Sequence, residues 1–99
     1  MKRPLWTPEA ILDLRELRSY VVRRNPLAAQ RLVKDIRTRC CLIASVPGMG
    51  SRPKDPEDLP PGIFLFPSHP YNIFYRLTDT NRVEIVRLLH EGRDRSGLF

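Results

Sequence analysis

The first half of the chain carries two stripes of apolar residues at helical spacing. The first stripe consists of Ala10, Ile11, Leu14, Leu17 and Val21. The second consists of Ala29, Leu32, Val33, Ile36, Cys40 and Ile43. Intervals of three and four residues place such positions on one side of an α-helix. The pattern therefore predicts two amphipathic helices, each with one face turned to a core.

Prolines mark where these helices begin and end. Thr7-Pro8-Glu9 is typical of a helix start, with Thr7 as the N-cap and Pro8 in the first turn. Asn25-Pro26 ends the first helix, because a residue before proline is pushed out of helical geometry. The same pair supplies a cap and a first residue for the second helix, which Pro47-Gly48 stops. So short a connection predicts an antiparallel helical hairpin.

The second half of the chain changes to a period of two, which is typical of strands. A short apolar strand is predicted over residues 63–66, a second strand begins at Tyr71, and a last strand covers Val83 to Leu89. Along the middle strand, Phe74 and Tyr75 fall on opposite faces. One of them is expected under the helices, and the other faces solvent or a partner.

An additional strand is predicted at the N-terminus, in the segment KRPLW of residues 2–6. Pro4 cannot donate a ladder hydrogen bond, which confines this strand to a sheet edge. Trp6 is expected to be a core residue or a half-buried contact at that edge.

Helices followed by strands predict an α+β fold in one domain, residues 1–99. The expected architecture is an N-terminal antiparallel helical hairpin packed on one face of a small antiparallel sheet of three to four strands. Between Pro47 and Pro70 lie seven of the ten prolines. This segment is predicted to be a restricted loop between two parts of one core, with a short strand near Arg52.

Positive charge is concentrated in the predicted hairpin. The chain has a formal net charge of +6, and eight basic residues against two acidic ones lie between Arg15 and Arg39. Such a field favours an acidic partner, whether protein or nucleic acid. The alternative is an ordinary solvated helical face.

The remaining composition predicts few special features. Cys40 and Cys41 are adjacent in a helical pattern and are expected to stay reduced. We find no metal-ligand spacing and expect no metal or cofactor. No stretch approaches the roughly 20 apolar residues of a membrane span, so we expect a soluble, cytosolic protein with no membrane partner.

Four motifs occur along the chain in this order: Asn25-Pro26-x-Ala28-Ala29, Pro47-Gly48-x-Gly50-x-Arg52, Tyr71-x-Ile73-x-Tyr75-Arg76, and a closing Val86-Arg87-Leu88-Leu89-His90-x-x-Arg93-Asp94. Together they resemble the RelE/ParE toxins of type II toxin–antitoxin systems, and the ParE branch in particular. The resemblance covers nearly the whole chain and agrees with the predicted fold.

The resemblance implies a bacterial cytoplasmic toxin that inhibits DNA gyrase, blocks replication and performs no chemistry of its own. It also implies a ParD-like antitoxin whose C-terminal segment wraps the toxin in a hetero-oligomer, with DNA met only through the antitoxin. We expect the antitoxin to contact Trp6, Arg15, Arg18, Arg31, Lys34 and Arg37. Candidates for contact with the target are Arg76, Arg87, His90, Arg93 and Asp94.

Two other functions are open. The first is a RelE-like ribonuclease that cuts messenger RNA on the ribosome, which requires a proton donor and acceptor and cations at the phosphate. Its catalytic residues would be Arg52, Arg76, Arg87, His90 and Arg93, with Lys54 and Tyr75 as further candidates. The second is a non-catalytic nucleic-acid-binding module, although no recognition-helix motif is present.

Structural roles are open for the same residues. His90 could be a hydrogen-bonded histidine at a strand end, and Arg93 and Asp94 could form a local ion pair. Arg76 and Arg87 could share a cationic face, or either could pair with Glu84 or Asp79. His69, in a proline-flanked turn, is expected to be merely exposed.

Overall fold

The computed structural model describes residues 2–52 and 59–99. The helices are α1 (Pro8–Val22) and α2 (Pro26–Ser45), and a short 3-10 helix covers Pro47–Met49. The strands are β1 (Leu5–Trp6), β2 (Phe64–Ser68), β3 (Tyr71–Leu77) and β4 (Val83–His90). This order confirms the predicted helical hairpin followed by strands.

Side-chain caps begin both helices at the predicted residues. The hydroxyl of Thr7 accepts a hydrogen bond from the Ala10 amide at 3.1 Å, and Oδ1 of Asn25 accepts one from the Ala28 amide at 3.1 Å. Each satisfies a backbone donor that the first helical turn leaves free. The Thr7 hydroxyl also donates to the carbonyl of Val86 at 2.8 Å, so the cap of α1 is tied to the sheet.

The predicted stripes face the core. Ala10 and Leu17 of α1 are buried, as are Ala29, Ile36, Cys40 and Ile43 of α2. Ile11 is the exception, because 41% of it remains exposed. The residue that completes the buried face of α1 is instead Asp13, which is only 7% exposed.

The sheet has four strands in the order β1-β4-β3-β2. β1 occupies an edge, as Pro4 predicted, but it runs parallel to β4, with Leu5 opposite Glu84 and Trp6 opposite Ile85. The prediction of a wholly antiparallel sheet is therefore wrong for β1. The whole helical hairpin and two further strands separate β1 from β4, so no tight turn fixes their relative direction.

A β-bulge in β4 interrupts the pairing of β3 with β4. Phe74 is opposite Arg87 and Tyr75 is opposite Ile85, which leaves Val86 as the extra residue. Tyr75 joins the main core beneath the helices, and Phe74 joins a second cluster with Leu59, Ile63 and Leu89.

Both faces of the sheet are consequently covered. Phe74 and Tyr75 are each 0% exposed, so the expectation that one of them faces solvent or a partner is wrong. The C-terminal segment contributes to the second face, where the ring of Phe99 lies 5.0 Å from that of Phe74. Trp6 is half-buried and packs against the main core.

Candidate functional site

A groove follows the outer surface of the helical hairpin. It consists of two cavities of about 580 and 670 Å³ that share Leu14 and Arg37. The first is lined by Leu14, Arg15, Arg18, Gln30, Val33, Lys34, Arg37 and Thr38. The second is lined by Arg3, Pro4, Trp6, Ile11, Leu14, Arg37 and Cys41. We call this surface the hairpin groove.

The hairpin groove combines apolar and cationic side chains. Leu14, Val33, Trp6 and Ile11 contribute apolar surface, and five basic residues contribute charge: Arg3, Arg15, Arg18, Lys34 and Arg37. Within the described residues no acidic side chain lines the groove, and none of the three ion pairs includes one of its cations. The groove therefore offers uncompensated positive charge beside an apolar surface.

Five of the six residues expected to meet an antitoxin line this groove: Trp6, Arg15, Arg18, Lys34 and Arg37. The structure brings them together from β1, α1 and α2. Arg31 is exposed on α2 but is not among the lining residues.

Arg87 lies apart from this groove in an ion pair with Asp13. Its Nε is 2.8 Å from Oδ2 of Asp13, and its Nη2 is 2.9 Å from Oδ1. The hydrogen bond to Asp13 raises the pKa of Arg87, against the opposing effect of burial. Arg87 therefore pairs with neither Glu84 nor Asp79, the two carboxylates that the sequence left open as its partners.

Asp13 is a buried residue of this ion pair that the sequence pattern did not single out. Besides Arg87, its carboxylate accepts a hydrogen bond from the Leu88 amide at 3.0 Å. One signal was available, because Asp13 lies three residues after Ala10 and four before Leu17, inside the apolar stripe. A carboxylate at such a position requires a buried partner.

Two further cations of the ribonuclease set are engaged in structural contacts. Arg76 pairs with Glu84 at 2.6 Å across neighbouring strands, as one of the sequence alternatives proposed. Arg52 donates to the carbonyls of Ile63 at 2.6 Å and Pro60 at 3.3 Å. Lys54 lies outside the described residues.

Tyr75 is buried and is held by both of its hydrogen-bonding functions. Its hydroxyl donates to the carbonyl of Pro47 at 2.6 Å and accepts from the Gly50 amide at 2.8 Å. Burial raises the pKa of Tyr75, and the Gly50 hydrogen bond opposes that rise. A Cβ at Gly50 would lie 2.6 Å from Cε1 of Tyr75, so this approach requires glycine. Tyr75 is therefore a structural anchor for the loop after α2.

His90 and Arg93 line a cavity of about 300 Å³ where β4 ends beside the start of β3. Its other lining residues include Asp13, Glu16, Tyr20 and Tyr71. Nδ1 of His90 accepts a hydrogen bond from the Gly92 amide at 3.1 Å. In the neutral imidazole the proton consequently resides on Nε2. Tyr71 meets the His90 ring edge-on, with the centroids 5.6 Å apart.

The ion pairs near this cavity differ from those expected. Asp94 accepts hydrogen bonds from the amide of Ser96 at 3.0 Å and from its hydroxyl at 2.8 Å, which lower the pKa of Asp94. Among the described residues the predicted Arg93–Asp94 pair is absent. His69 is 81% exposed, as expected, and its Nδ1 lies 3.0 Å from the carboxylate of Glu91.

The ribonuclease candidates do not converge on one point. Arg76 is opposite Glu84 near the β3–β4 turn, whereas His90 is opposite Tyr71 at the other end of β3. Five residues along a strand correspond to roughly 17 Å.

In the described ranges, residues 2–52 and 59–99, no group of three His, Cys, Asp or Glu side chains could hold a metal ion. Neither described helix has the length and apolarity to cross a membrane.

Comparisons with known proteins extend over almost the whole chain. The family model described as the ParE toxin of the type II toxin–antitoxin system parDE matches residues 5–95. Toxin RelE2 of Caulobacter vibrioides is 32% identical over 93 residues, which cover 94% of this chain and 99% of that toxin.

A solved structure shares the fold. A chain of the chromosomal ParDE TA system from P. aeruginosa superposes with a TM-score of 0.73 at 21% identity, over 91% of this chain and 96% of that one. At this identity the likeness concerns the fold, two N-terminal helices on a four-stranded mixed sheet. The family match over residues 5–95 shows that the chain belongs to the ParE toxin family of type II toxin–antitoxin systems.

Proposed function

We propose that this ParE-family toxin inhibits DNA gyrase, thereby blocks replication, and is neutralised in the bacterial cytoplasm by a ParD-like antitoxin. Family membership supports the gyrase target. The antitoxin part is carried by one observation, the hairpin groove with its apolar surface and five cations.

The groove suits an amphipathic acidic segment. Apolar side chains of such a segment would pack on Trp6, Leu14 and Val33, while its carboxylates would approach Arg18, Lys34 and Arg37. An amphipathic helix in a groove is a common mode of peptide recognition. The complementary charges would also accelerate association. DNA would be met only through the antitoxin of this hetero-oligomer.

The engaged side chains support a toxin that performs no chemistry. Arg87 and Arg76 are ion-paired, and Arg52 is hydrogen-bonded to backbone carbonyls. A ribonuclease needs cations free to stabilise charge that develops on the phosphate. Of the five candidates for that chemistry, His90 and Arg93 are the exposed pair that lines a common cavity.

The same cavity is the best placed surface for the target. His90 and Arg93 are exposed beside Tyr20 and Glu16, whereas Arg87 is held by Asp13 and Arg76 by Glu84. Asp94 is exposed but its carboxylate is already used by Ser96. Within the original set of target candidates, we therefore assign His90 and Arg93 to the contact.

Two assays run in parallel test the target. Purified toxin is added to DNA gyrase in a supercoiling assay and to a translating ribosome system in which message cleavage is followed. Inhibited supercoiling with intact message is expected, and pre-incubation with antitoxin should restore supercoiling. Message cleavage with normal supercoiling would instead establish the ribonuclease alternative. That alternative is tested because the Caulobacter relative is named toxin RelE2.

A further inference from the structure

A second cationic surface lies where the N-terminal segment meets the β3–β4 turn. A cleft of about 410 Å³ is lined there by Lys2, Arg3, Ala44, Thr80, Asn81, Arg82 and Val83. Three of these residues are basic, and among the described residues none of the lining side chains is acidic. The ParE-like function proposed above makes no use of Lys2 or Arg82.

The fold itself places Arg3 beside Arg82. Leu5 is opposite Glu84 in the parallel β1–β4 pair, and the same register extended by two residues brings position 3 opposite position 82. Nη2 of Arg82 lies 3.4 Å from the carbonyl oxygen of Arg3, in agreement with that placement. Two guanidinium groups thus share one cleft although like charges repel.

The turn that carries Arg82 is held firmly by hydrogen bonds. The Thr78 amide donates to the Arg82 carbonyl at 2.8 Å, and the Asn81 amide donates to the Thr78 carbonyl at 2.9 Å. Asn81 has a φ of 58°, a left-handed conformation that asparagine tolerates. The backbone of this turn is consequently ordered before any ligand arrives.

A hydroxyl donor accompanies the cations. Oγ1 of Thr78 accepts from the Arg82 amide at 3.1 Å and lies 3.1 Å from Oγ1 of Thr80. When Thr78 is the donor in that pair, the proton of Thr80 is free to point into the cleft. Lys2, Arg3, Thr80, Asn81 and Arg82 then form a set of hydrogen-bond donors around one space.

We propose that this cleft binds a phosphate group, carried either by a nucleic-acid backbone or by a free phosphate compound. Arginine guanidinium groups match the geometry of phosphate oxygens, in a nucleic-acid diester as in a free phosphate, and the second negative charge of a free phosphate monoester balances more of the three cations than a carboxylate would. The end of α2 at Ala44 contributes about half a negative charge, which offsets only part of them.

The lining distinguishes this cleft from the hairpin groove. The groove presents Trp6, Leu14 and Val33, which suit the apolar face of a peptide. In the cleft, Ala44 and Val83 are the apolar members beside five polar ones. The cleft thus offers its cations without a large apolar side chain on which a peptide could pack, and this favours an oxyanion.

The test uses the whole 99-residue chain and two charge-matched double variants. K2E/R82E changes the cleft, and R15E/R18E changes the hairpin groove by the same total charge. Amide chemical shifts are followed during titration with sodium phosphate against sodium chloride of equal ionic strength. Binding of a labelled single-stranded oligodeoxynucleotide is measured by fluorescence anisotropy at several salt concentrations.

Phosphate-specific shifts at Thr80, Asn81 and Arg82 are expected in the wild type and in R15E/R18E, and their absence in K2E/R82E. If the phosphate comes from nucleic acid, K2E/R82E should bind the oligonucleotide about tenfold more weakly than the wild type. The slope of log affinity against log salt concentration should also be smaller by about two. Phosphate shifts without oligonucleotide binding would assign the cleft to free phosphate compounds.

The proposal is overturned if phosphate leaves the turn amides unshifted and the oligonucleotide does not bind, or if both variants lose binding equally. The neutral variant K2Q/R82Q repeats the measurement if charge reversal disturbs folding, which thermal unfolding reports. Antitoxin binding should be unchanged in K2E/R82E, so the outcome is independent of the hairpin groove.

Discussion

Asp13 of α1 and Arg87 of β4 form a bidentate ion pair between side chains that are only 6% and 14% exposed. The pair joins residues 74 positions apart and also fixes the Leu88 amide and the Leu98 carbonyl. It connects the first helix, the last strand and the C-terminal segment. Arg87 is thereby a structural residue, despite its place in a sequence motif that suggested a functional one.

Replacing Asp13 by alanine should destabilise the protein severely. The change leaves a nearly buried guanidinium without its charge partner and the Leu88 amide without its acceptor, for which we expect a loss of about 3 kcal/mol. The free energy of unfolding from urea denaturation measures it. Asp13→Asn, which keeps an acceptor oxygen, should lose less, and Glu16→Ala on the exposed side of α1 should change little. A loss below about 1 kcal/mol for Asp13→Ala would contradict this role.

Replacing Tyr75 by phenylalanine should destabilise the protein although it leaves the packing of the ring in the core unchanged. The ring is preserved, but the Gly50 amide and the Pro47 carbonyl lose their partner, at a cost of about 1–3 kcal/mol. Thermal unfolding checks the prediction. The matched control is Tyr20→Phe, because Tyr20 is 56% exposed and its hydroxyl can reach water. Equal melting temperatures for the two variants would show that the loop is not anchored by Tyr75.

Stability should fall above pH 9 because of Cys40. Burial, together with the charge of Cys41, raises the pKa of Cys40 from 9.0 to about 12. The unfolded chain therefore loses this proton at lower pH than the folded protein, so the contribution is complete below pH 9 and is lost as pH rises towards 12. Between pH 9 and 10 the expected loss is about 1 kcal/mol.

Cys40→Ala should remove that loss, whereas Cys41→Ala should retain it, since Cys41 is only partly buried. Urea denaturation at closely spaced pH values, with each variant referred to its own stability at pH 8, separates the slope from any cavity effect. The same slope in both variants would assign the alkaline loss to other groups.

Charge reversal in the hairpin groove should weaken the antitoxin complex. Lys34→Glu places a carboxylate in the groove and should lower affinity about tenfold, with a smaller dependence on salt. Arg31→Glu is the matched control, because it makes the same charge change on the same helix outside the groove lining. Isothermal titration at two salt concentrations gives both values. Similar losses for the two variants would indicate a general field and not a docking groove.

The sequence alone determined the parts of this protein that local physics governs. Thr7 and Asn25 cap the helices because their side chains can reach the first free amides of the same segment. The period of the apolar residues selected the buried faces, and Pro4 confined β1 to an edge. Even the shared surface of Arg15, Arg18, Lys34 and Arg37 follows from placing two amphipathic helices side by side.

Which distant groups come into contact follows from the tertiary structure and not from local patterns. The direction of β1 and the pairing of Asp13 with Arg87 depend on contacts between the two ends of the chain. The bulge at Val86 depends on how β4 pairs with β3. Residue spacing places Asp13 inside an apolar stripe but does not identify its partner, because an arginine in a strand satisfies the same local pattern whether it is free or paired. Burial explains the pairing of Arg87, because a guanidinium that is largely removed from water is destabilising unless a carboxylate compensates its charge. Asp13 provides that carboxylate.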